Sequence, residues 1–345
     1  MDNTIQAITY TVARKRFPNI WCNYDYIWTQ LDKPTVQSGT RIQVPLKIAQ
    51  QAPEYFIGAE SANVSRPEFA TTAYYEWVTV RENMFYTLSD KMRNDGGENA
   101  IADYVTSMLD NADRSLADDL ANKFLGTGTD YALRQFNSFQ YLADDAADTL
   151  GLATINGLTA TQVRTLGTLD KNLVLDTLGN KVYQGNVMNI GAAHGWTRGN
   201  VVRGLAKATN GPNKPDLIVA NNLVVAELIA NAISGTTGVL RVTTGDLKLG
   251  FDVYTMDGNK IYGQRNVPYV AGASTTNVAY GINTTTVKVI VNHLANNVLR
   301  PWVKVPLQEA WYSSRVLGAN IVCDDPRSNI VWYAFDSTGA GAATD

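Results

Sequence analysis

The sequence predicts an α+β fold. Three observations favour this class: a period-two strand pattern near residues 41–48, one long helical pattern near residues 96–125, and short β-branched runs in the second half of the chain. A chain of 345 residues is long enough for one large domain or two medium ones with their own cores. Its 45% hydrophobic and 18% charged residues are typical of a globular protein and argue against disorder.

The charge and cysteine content exclude several classes of protein. The formal net charge is −3, without the basic excess of an avid nucleic-acid binder. The two cysteines, Cys22 and Cys323, cannot form a disulfide framework, and we interpret both as buried apolar side chains in a reducing compartment. No run approaches the ~20 apolar residues of a membrane span, and the N-terminal residues do not resemble a secretory signal. We therefore expect a soluble protein made in a cytoplasm.

Residues 1–38 mix aromatic and polar side chains with little periodicity. Trp21, Tyr24, Tyr26 and Trp28 are too many large side chains for a free tail. We expect this segment to be an arm that packs against something else.

A β-ribbon is predicted next. Ile42, Val44 and Leu46 alternate with polar residues, and Pro45, which cannot donate to a ladder, favours an edge or a two-stranded ribbon. Residues 69–83, FATTAYYEWVTVREN, are β-branched and aromatic and predict the returning strand. Because an isolated ribbon is marginally stable, we expect its apolar face to be covered, most simply by another copy of the chain.

A helix over residues 96–125 follows. Asp95 and Glu98 form a variant of the capping box, and Gly126 provides the stop. About 30 residues at 1.5 Å each make a rod of roughly 45 Å. One apolar stripe runs along it: Ile101, Val105, Met108, Ala112, Leu116, Leu120 and Phe124. The acidic residues off the stripe are expected in solvent or against a neighbour: Asp103, Asp110, Asp113, Asp118 and Asp119.

Residues 151–300 predict a separate lobe. Residues 216–220 read as a strand, Asn221 as a cap, and the segment to residue 233 as a helix. Short β-like runs follow, and the chain returns to strands near its end. Two such runs flank the turn-rich segment 324–328, which predicts a hairpin that pairs with the ribbon region or the long helix.

No catalytic constellation is present in the sequence. His194 and His293 lack the companions of a nucleophilic or metal site, and no phosphate-binding loop matches. The carboxylate pairs Asp118/Asp119 and Asp144/Asp145 are interpreted as solvated surface. We therefore expect no enzyme, no cofactor and no metal.

The order of these parts resembles the major capsid proteins of tailed bacteriophages, the Hong Kong 97 fold. The resemblance covers nearly the whole chain and implies five parts: an N-terminal arm (1–38), an extended β-hairpin loop (39–82), a peripheral domain with the spine helix (83–150), an axial domain (151–300), and closing peripheral strands with a mobile tail (301–345). The PDLIVANNLVVAELIANA segment resembles the axial domain, and RVLGANIVCDDPRSNIVWYAF resembles the closing strands.

The resemblance also implies function and partners. Subunits of this family form hexamers and pentamers that close into an icosahedral shell around double-stranded DNA, in a virion assembled in the host cytoplasm. Portal, scaffolding and possibly decoration proteins are the implied partners. The chain begins almost at its arm, so we expect any scaffold to be a separate protein. Since the tip of the loop, residues 50–68, contains no lysine for a covalent cross-link, we expect a non-covalent shell.

The candidate contacts between subunits lie on the ribbon, on its tip and in the last turn. They are Ile42, Val44, Leu46, Phe56, Arg66, Asp324, Asp325 and Arg327. For Asp324, Asp325 and Arg327, simple turn chemistry is the alternative. Two other functions remain open at this point: another structural protein of a virion, and an enzyme of unknown class with a substrate site in the 151–300 lobe.

Overall fold

The computed structural model describes most of the chain. The described residues are 26–37, 39–47, 70–93, 98–126, 135–145, 147–150, 160–175, 181–234, 241–242, 253–256, 258–271, 273–306 and 308–336. The helices among them are α1 (Tyr26–Gln30), α2 (Leu88–Arg93), α3 (Glu98–Leu125), α4 (Phe139–Ala143), α5 (Ala160–Arg164), α6 (Arg198–Ala208) and α7 (Asn222–Ser234).

The strands come before, between and after these helices. They are β1 (Thr35–Val36), β2 (Ile42–Lys47), β3 (Ala70–Tyr75), β4 (Val78–Thr87), β5 (Thr165–Leu166), β6 (Leu169–Asp170), β7 (Asn186–Gly195), β8 (Leu217–Ala220), β9 (Arg241–Val242), β10 (Val253–Met256), β11 (Asn259–Gly263), β12 (Ala273–Ile282), β13 (Val287–Asn292), β14 (Val298–Leu299), β15 (Val303–Lys304), β16 (Ala310–Cys323) and β17 (Ile330–Asp336). The mixture of long helix and mainly antiparallel sheets confirms the predicted α+β class.

The chain divides into two compact units, each made of three segments. The first unit comprises residues 1–40, 77–122 and 289–320, and the second comprises residues 41–76, 123–288 and 321–345. Each unit is therefore built from segments far apart in the sequence. Within the described residues, no helix is both long enough and apolar enough to cross a membrane.

The first unit is organised around strand β16. Strand β4 pairs with it antiparallel over ten residues, from Thr87 opposite Ala310 to Val78 opposite Ala319. Strands β14 and β15 pair with β16 as well, and β13 and β1 complete a six-stranded sheet. Helix α3 packs Leu109 and Ala112 against Met84 and Tyr86 of β4. This cluster is the core of the unit, as the apolar stripe of the helix predicts.

The described part of the N-terminal arm is packed, as predicted. Tyr26 and Trp28 are buried in α1. Farther along, Thr35 of β1 lies opposite Val291 in a parallel pairing with β13. Trp21, Tyr24 and Cys22 lie outside the described residues.

One acidic residue of α3 is buried, although its position off the apolar stripe predicts exposure. Asp113 is buried and forms an ion pair with Arg315, whose side chain is 1% exposed in the middle of β16. The prediction that this carboxylate faces solvent is wrong, because a buried guanidinium requires an opposite charge beside it. Asp118 and Asp119 are exposed, as predicted.

The second unit contains a seven-stranded sheet in the order β7-β17-β12-β8-β11-β10-β9. Strand β8 leads into α7, and the Asn221 side chain accepts a hydrogen bond from the Leu223 N–H at 3.1 Å, which confirms the predicted strand, cap and helix. The core lies between this sheet and helices α6 and α7. The core contains Trp332, whose ring meets Trp196 edge-on at a centroid distance of 6.1 Å.

The predicted ribbon is present as β2 and β3. Its register pairs Ile42 with Tyr75 and Lys47 with Ala70, so Pro45 lies in a two-stranded ribbon as expected. The second run is two strands rather than one, because it breaks after Tyr75 and continues as β4 in another sheet. At the break, Glu76 forms an ion pair with Arg41 at 2.6 Å.

The predicted C-terminal hairpin is wrong. Strands β16 and β17 flank the turn but belong to different sheets: β16 pairs with β4, while β17 pairs with β7 and β12. A short, turn-rich link can join two strands of one hairpin or two strands of different sheets. The pairing of β16 and β17 therefore depends on the other strands that they meet and not on the link. The expectation that the last strands pair with the ribbon region is confirmed only for β16, through β4.

Candidate intersubunit contacts and the ribbon root

Three of the predicted contact residues lie on the inner face of the ribbon. Ile42, Val44 and Leu46 are buried in the single chain, as are Ala73 and Tyr75 on the paired strand. The expectation that this face needs another copy for cover is therefore wrong, since the chain itself covers it. A contact of these residues with a neighbour stays a prediction. Phe56 and Arg66, at the predicted tip, lie outside the described residues.

The other three predicted contact residues lie in a turn that is stabilised by its own hydrogen bonds and ion pairs. Residues Pro326–Ser328 form a 3-10 helix, and Ser328 Oγ donates a hydrogen bond to the Asp325 carbonyl at 2.8 Å. Asp324 pairs with Lys288, and the Asp325 carboxylate accepts from Arg327 Nε at 3.2 Å. Turn chemistry therefore accounts for these charges within one chain. Their role between subunits stays a prediction.

The ribbon is held at its base by the β5–β6 hairpin. The Tyr74 N–H donates to the Gly167 carbonyl at 2.8 Å, and Gly167 adopts a φ of +55° in the turn. A Cβ at this glycine would lie 2.9 Å from the Ala73 Cβ and the Tyr75 ring. Only glycine tolerates both the backbone conformation and the close approach of the ribbon. We call this contact the ribbon root.

A buried pair of tyrosines adds to the ribbon root. The hydroxyls of Tyr75 and Tyr183 are 2.7 Å apart, and the Tyr75 hydroxyl donates to the Cys323 carbonyl at 3.4 Å. Burial raises the pKa of both phenols above the ordinary value, so both stay neutral. Burial likewise raises the pKa of the Cys323 thiol, which fits the predicted role as a small apolar side chain.

Two buried titratable side chains lie next to this root, and the sequence alone does not predict their burial. Asp144, interpreted as solvated surface, is fully buried at the end of α4, and Lys171 is fully buried after β6. Lys171 Nζ donates to the Tyr141 and Asp144 carbonyls at 3.2 and 3.1 Å. Neither residue belongs to a recognisable sequence motif. The two are neighbours only because α4 lies next to the β5–β6 hairpin in the fold.

No group of three His, Cys, Asp or Glu side chains in the described ranges could hold a metal ion. His194 lies at the end of β7, and His293 begins a short 3-10 helix after β13.

Comparison with known proteins identifies the architecture. No protein-family model matches the sequence, and no curated protein does. Solved structures do match. A chain of the cyanophage A-1(L) capsid has a TM-score of 0.62 at 11% identity, over 92% of this chain and 94% of that chain. The capsid of a native GTA particle gives a TM-score of 0.55 at 10% identity over 89% of both chains.

A third match comes from a different kind of particle. The holo-SrpI encapsulin complex of Synechococcus elongatus PCC 7942 gives a TM-score of 0.52 at 9% identity, over 96% of this chain and 92% of that chain. All three matches span nearly the whole of both chains, so the shared architecture is not one common subdomain. The chain has the Hong Kong 97 fold of phage capsid proteins.

Proposed function

We propose that this chain is the major capsid protein of a tailed bacteriophage. Its copies assemble into hexamers and pentamers that close an icosahedral shell around double-stranded DNA. The observation that carries the proposal is the likeness to the cyanophage capsid over 92% of this chain and 94% of the other. The role that we propose is structural and involves no enzymatic activity.

The parts of the molecule support assembly. Helix α3 has 28 residues, about 42 Å at 1.5 Å per residue, and packs on the sheet of the first unit. A ribbon of two strands and a long helix suit a subunit that meets several neighbours, because heterologous contacts of this kind generate rings. The net charge of −3 suits a shell that encloses DNA without binding its phosphates tightly.

The partners follow from the same proposal. A separate scaffolding protein, a portal and possibly a decoration protein would meet the shell, and the chain would reside in the virion after assembly in the host cytoplasm. The encapsulin match shares the fold, so the fold alone does not distinguish a phage capsid from another kind of shell. The presence of DNA inside the particle would distinguish them.

Removal of the ribbon tip tests the proposed assembly. Deletion of residues 50–67 leaves four residues, 48, 49, 68 and 69, between the cross-strand partners Lys47 and Ala70. A four-residue loop closes such a hairpin without strain. We expect a variant with the far-UV circular dichroism of the unchanged chain that forms no shells in electron micrographs.

The matched control replaces residues 50–67 with glycine and serine at equal length. We expect it to fold and to fail in assembly as well, since the tip side chains are lost. Normal shells from the deletion variant would remove the ribbon tip from the assembly mechanism. If the control forms shells and the deletion variant does not, the loss of assembly is caused by the shorter ribbon.

A further inference from the structure

The carboxyl group of Asp144 has an unusual environment. The residue is 0% exposed. Its Oδ1 accepts hydrogen bonds from the N–H groups of Asp145 at 2.9 Å and Leu150 at 3.4 Å. Within the described residues, no donor reaches its buried Oδ2. A buried carboxylate oxygen without a donor is costly, whereas the same oxygen in a neutral carboxyl can carry the proton.

The charges that face this carboxyl come from three neighbouring segments. Lys171, after β6, is the facing cation, but it donates to the main-chain carbonyls of Tyr141 and Asp144 and not to the carboxylate. Asp145 and Asp148, in the turn after α4, add negative charge, and the Tyr333 phenol of β17 lies near Asp144 and Asp145. Burial raises the pKa of Asp144 to about 7, Lys171 lowers it, and Asp145 and Asp148 raise it. Burial lowers the pKa of Lys171.

Contacts connect this pair to the ribbon. Lys171 directly follows β6, and its own N–H donates to the Arg164 carbonyl at 3.0 Å. The Tyr141 hydroxyl donates to the Thr165 carbonyl at the start of β5. Lys171 and Tyr141 therefore fix both ends of the hairpin whose Gly167 carbonyl accepts the Tyr74 N–H of the ribbon at 2.8 Å.

We propose that Asp144 and Lys171 form a proton-controlled latch that fastens the β2–β3 ribbon to the rest of the second unit. With Asp144 neutral, Lys171 stays on the two carbonyls at the end of α4, and the β5–β6 hairpin holds the ribbon. When Asp144 releases its proton to water, the carboxylate attracts the ammonium group. Lys171 then leaves the carbonyls, and the hairpin holds the ribbon less tightly.

The direction of the pH effect follows from proton linkage. An aspartate in an unfolded chain has a pKa of about 3.9, and the folded value of about 7 is higher. Between these values the folded chain binds more protons, so stability is fully present below the lower value and falls as the pH rises towards 7. The latch is therefore closed in mild acid and open above neutral pH.

Amide hydrogen exchange of the full-length chain tests the latch and does not require a shell. Protection factors are measured by mass spectrometry at pH 6 and pH 8 for peptides that cover β3, with a peptide of α7 as the internal reference. We expect the protection of β3 to fall about fivefold or more in the unchanged chain and that of α7 to stay constant. Asp144→Asn, which keeps the Oδ1 acceptor and has no proton to release, should remain within about twofold at both pH values.

The matched control is Asp119→Asn, an exposed carboxylate on α3. It should behave as the unchanged chain. Three results would overturn the proposal: equal protection of β3 at both pH values in the unchanged chain, the same fall in Asp144→Asn, or a uniform fall that includes α7.

Discussion

Asp113→Ala is expected to lower the free energy of unfolding of the first unit by about 3–5 kcal/mol. The substitution removes the α3 carboxylate that pairs with the guanidinium of Arg315 in β16, whose side chain is 1% exposed. A buried charge cannot recover its hydration, so the penalty exceeds the loss of packing from the one carboxylate group removed. Because whole domains are stable by only about 5–15 kcal/mol, much of the protein should become insoluble.

A double-mutant cycle separates the charge from the packing. Arg315→Met replaces the guanidinium by an apolar side chain of similar length, and Asp113→Ala combined with Arg315→Met removes both charges. We expect the double variant to be more stable than Asp113→Ala alone, because the buried guanidinium is replaced by an apolar side chain. Asp119→Ala, at an exposed position of the same helix, is the control and should change stability by about 0.5 kcal/mol or less.

Urea unfolding followed by tryptophan fluorescence measures these effects. A midpoint for Asp113→Ala that equals that of Asp119→Ala would contradict the buried ion pair. A double variant less stable than Asp113→Ala would show that the guanidinium does not need the carboxylate.

Leu116→Pro is expected to have a comparable or larger effect. A proline inside a helix removes one hydrogen bond and clashes with the preceding turn, at a cost of about 3 kcal/mol or more. Leu116 is also buried, and truncation of such a side chain costs roughly 2–5 kcal/mol. Together, the proline effect and the lost packing cost about as much as the free energy of unfolding of a whole domain, so we expect no soluble subunit.

Two controls at neighbouring positions assign the loss. Leu116→Ala retains the helical backbone and should lose the packing alone, while Ser115→Ala, at an exposed position, should be nearly neutral. Soluble yield and far-UV circular dichroism give the readout. A soluble Leu116→Pro with unchanged helix content would contradict a continuous helix across Glu98–Leu125.

The elements with strong local signals could be predicted from the sequence. Helix α3 follows from its apolar stripe, the β8–α7 unit follows from the cap at Asn221, and the ribbon follows from alternation around Pro45. In each case the pattern and the local chemistry favour the same structure.

The pairing of strands could not be predicted in the same way. Strand β16 is buried without interruption from Ser313 to Cys323, so its pattern carries no information about which strand lies beside it. The charged turn after it favours a hairpin with β17. Instead, β17 pairs antiparallel with β12 and parallel with β7 in the other sheet.

The burial of charged side chains could not be predicted from the sequence either. Asp113 and Asp144 lie in acidic stretches that are usually solvated, and their partners, Arg315 and Lys171, lie far away in the sequence. The burial of such groups is decided by tertiary contacts that no local pattern contains. The predicted contact residues on the ribbon and in the last turn remain predictions, because their test needs a neighbouring subunit.

Electron microscopy of the purified full-length chain, expressed alone or with a scaffolding protein, tests the proposed function most directly. We predict closed shells with five-fold and six-fold capsomers, made of subunits that run as 37.7 kDa monomers after boiling in detergent. Particles from the native source should contain nuclease-protected double-stranded DNA. A well-behaved monomer under all conditions, or shells filled with protein and free of DNA, would contradict a phage capsid.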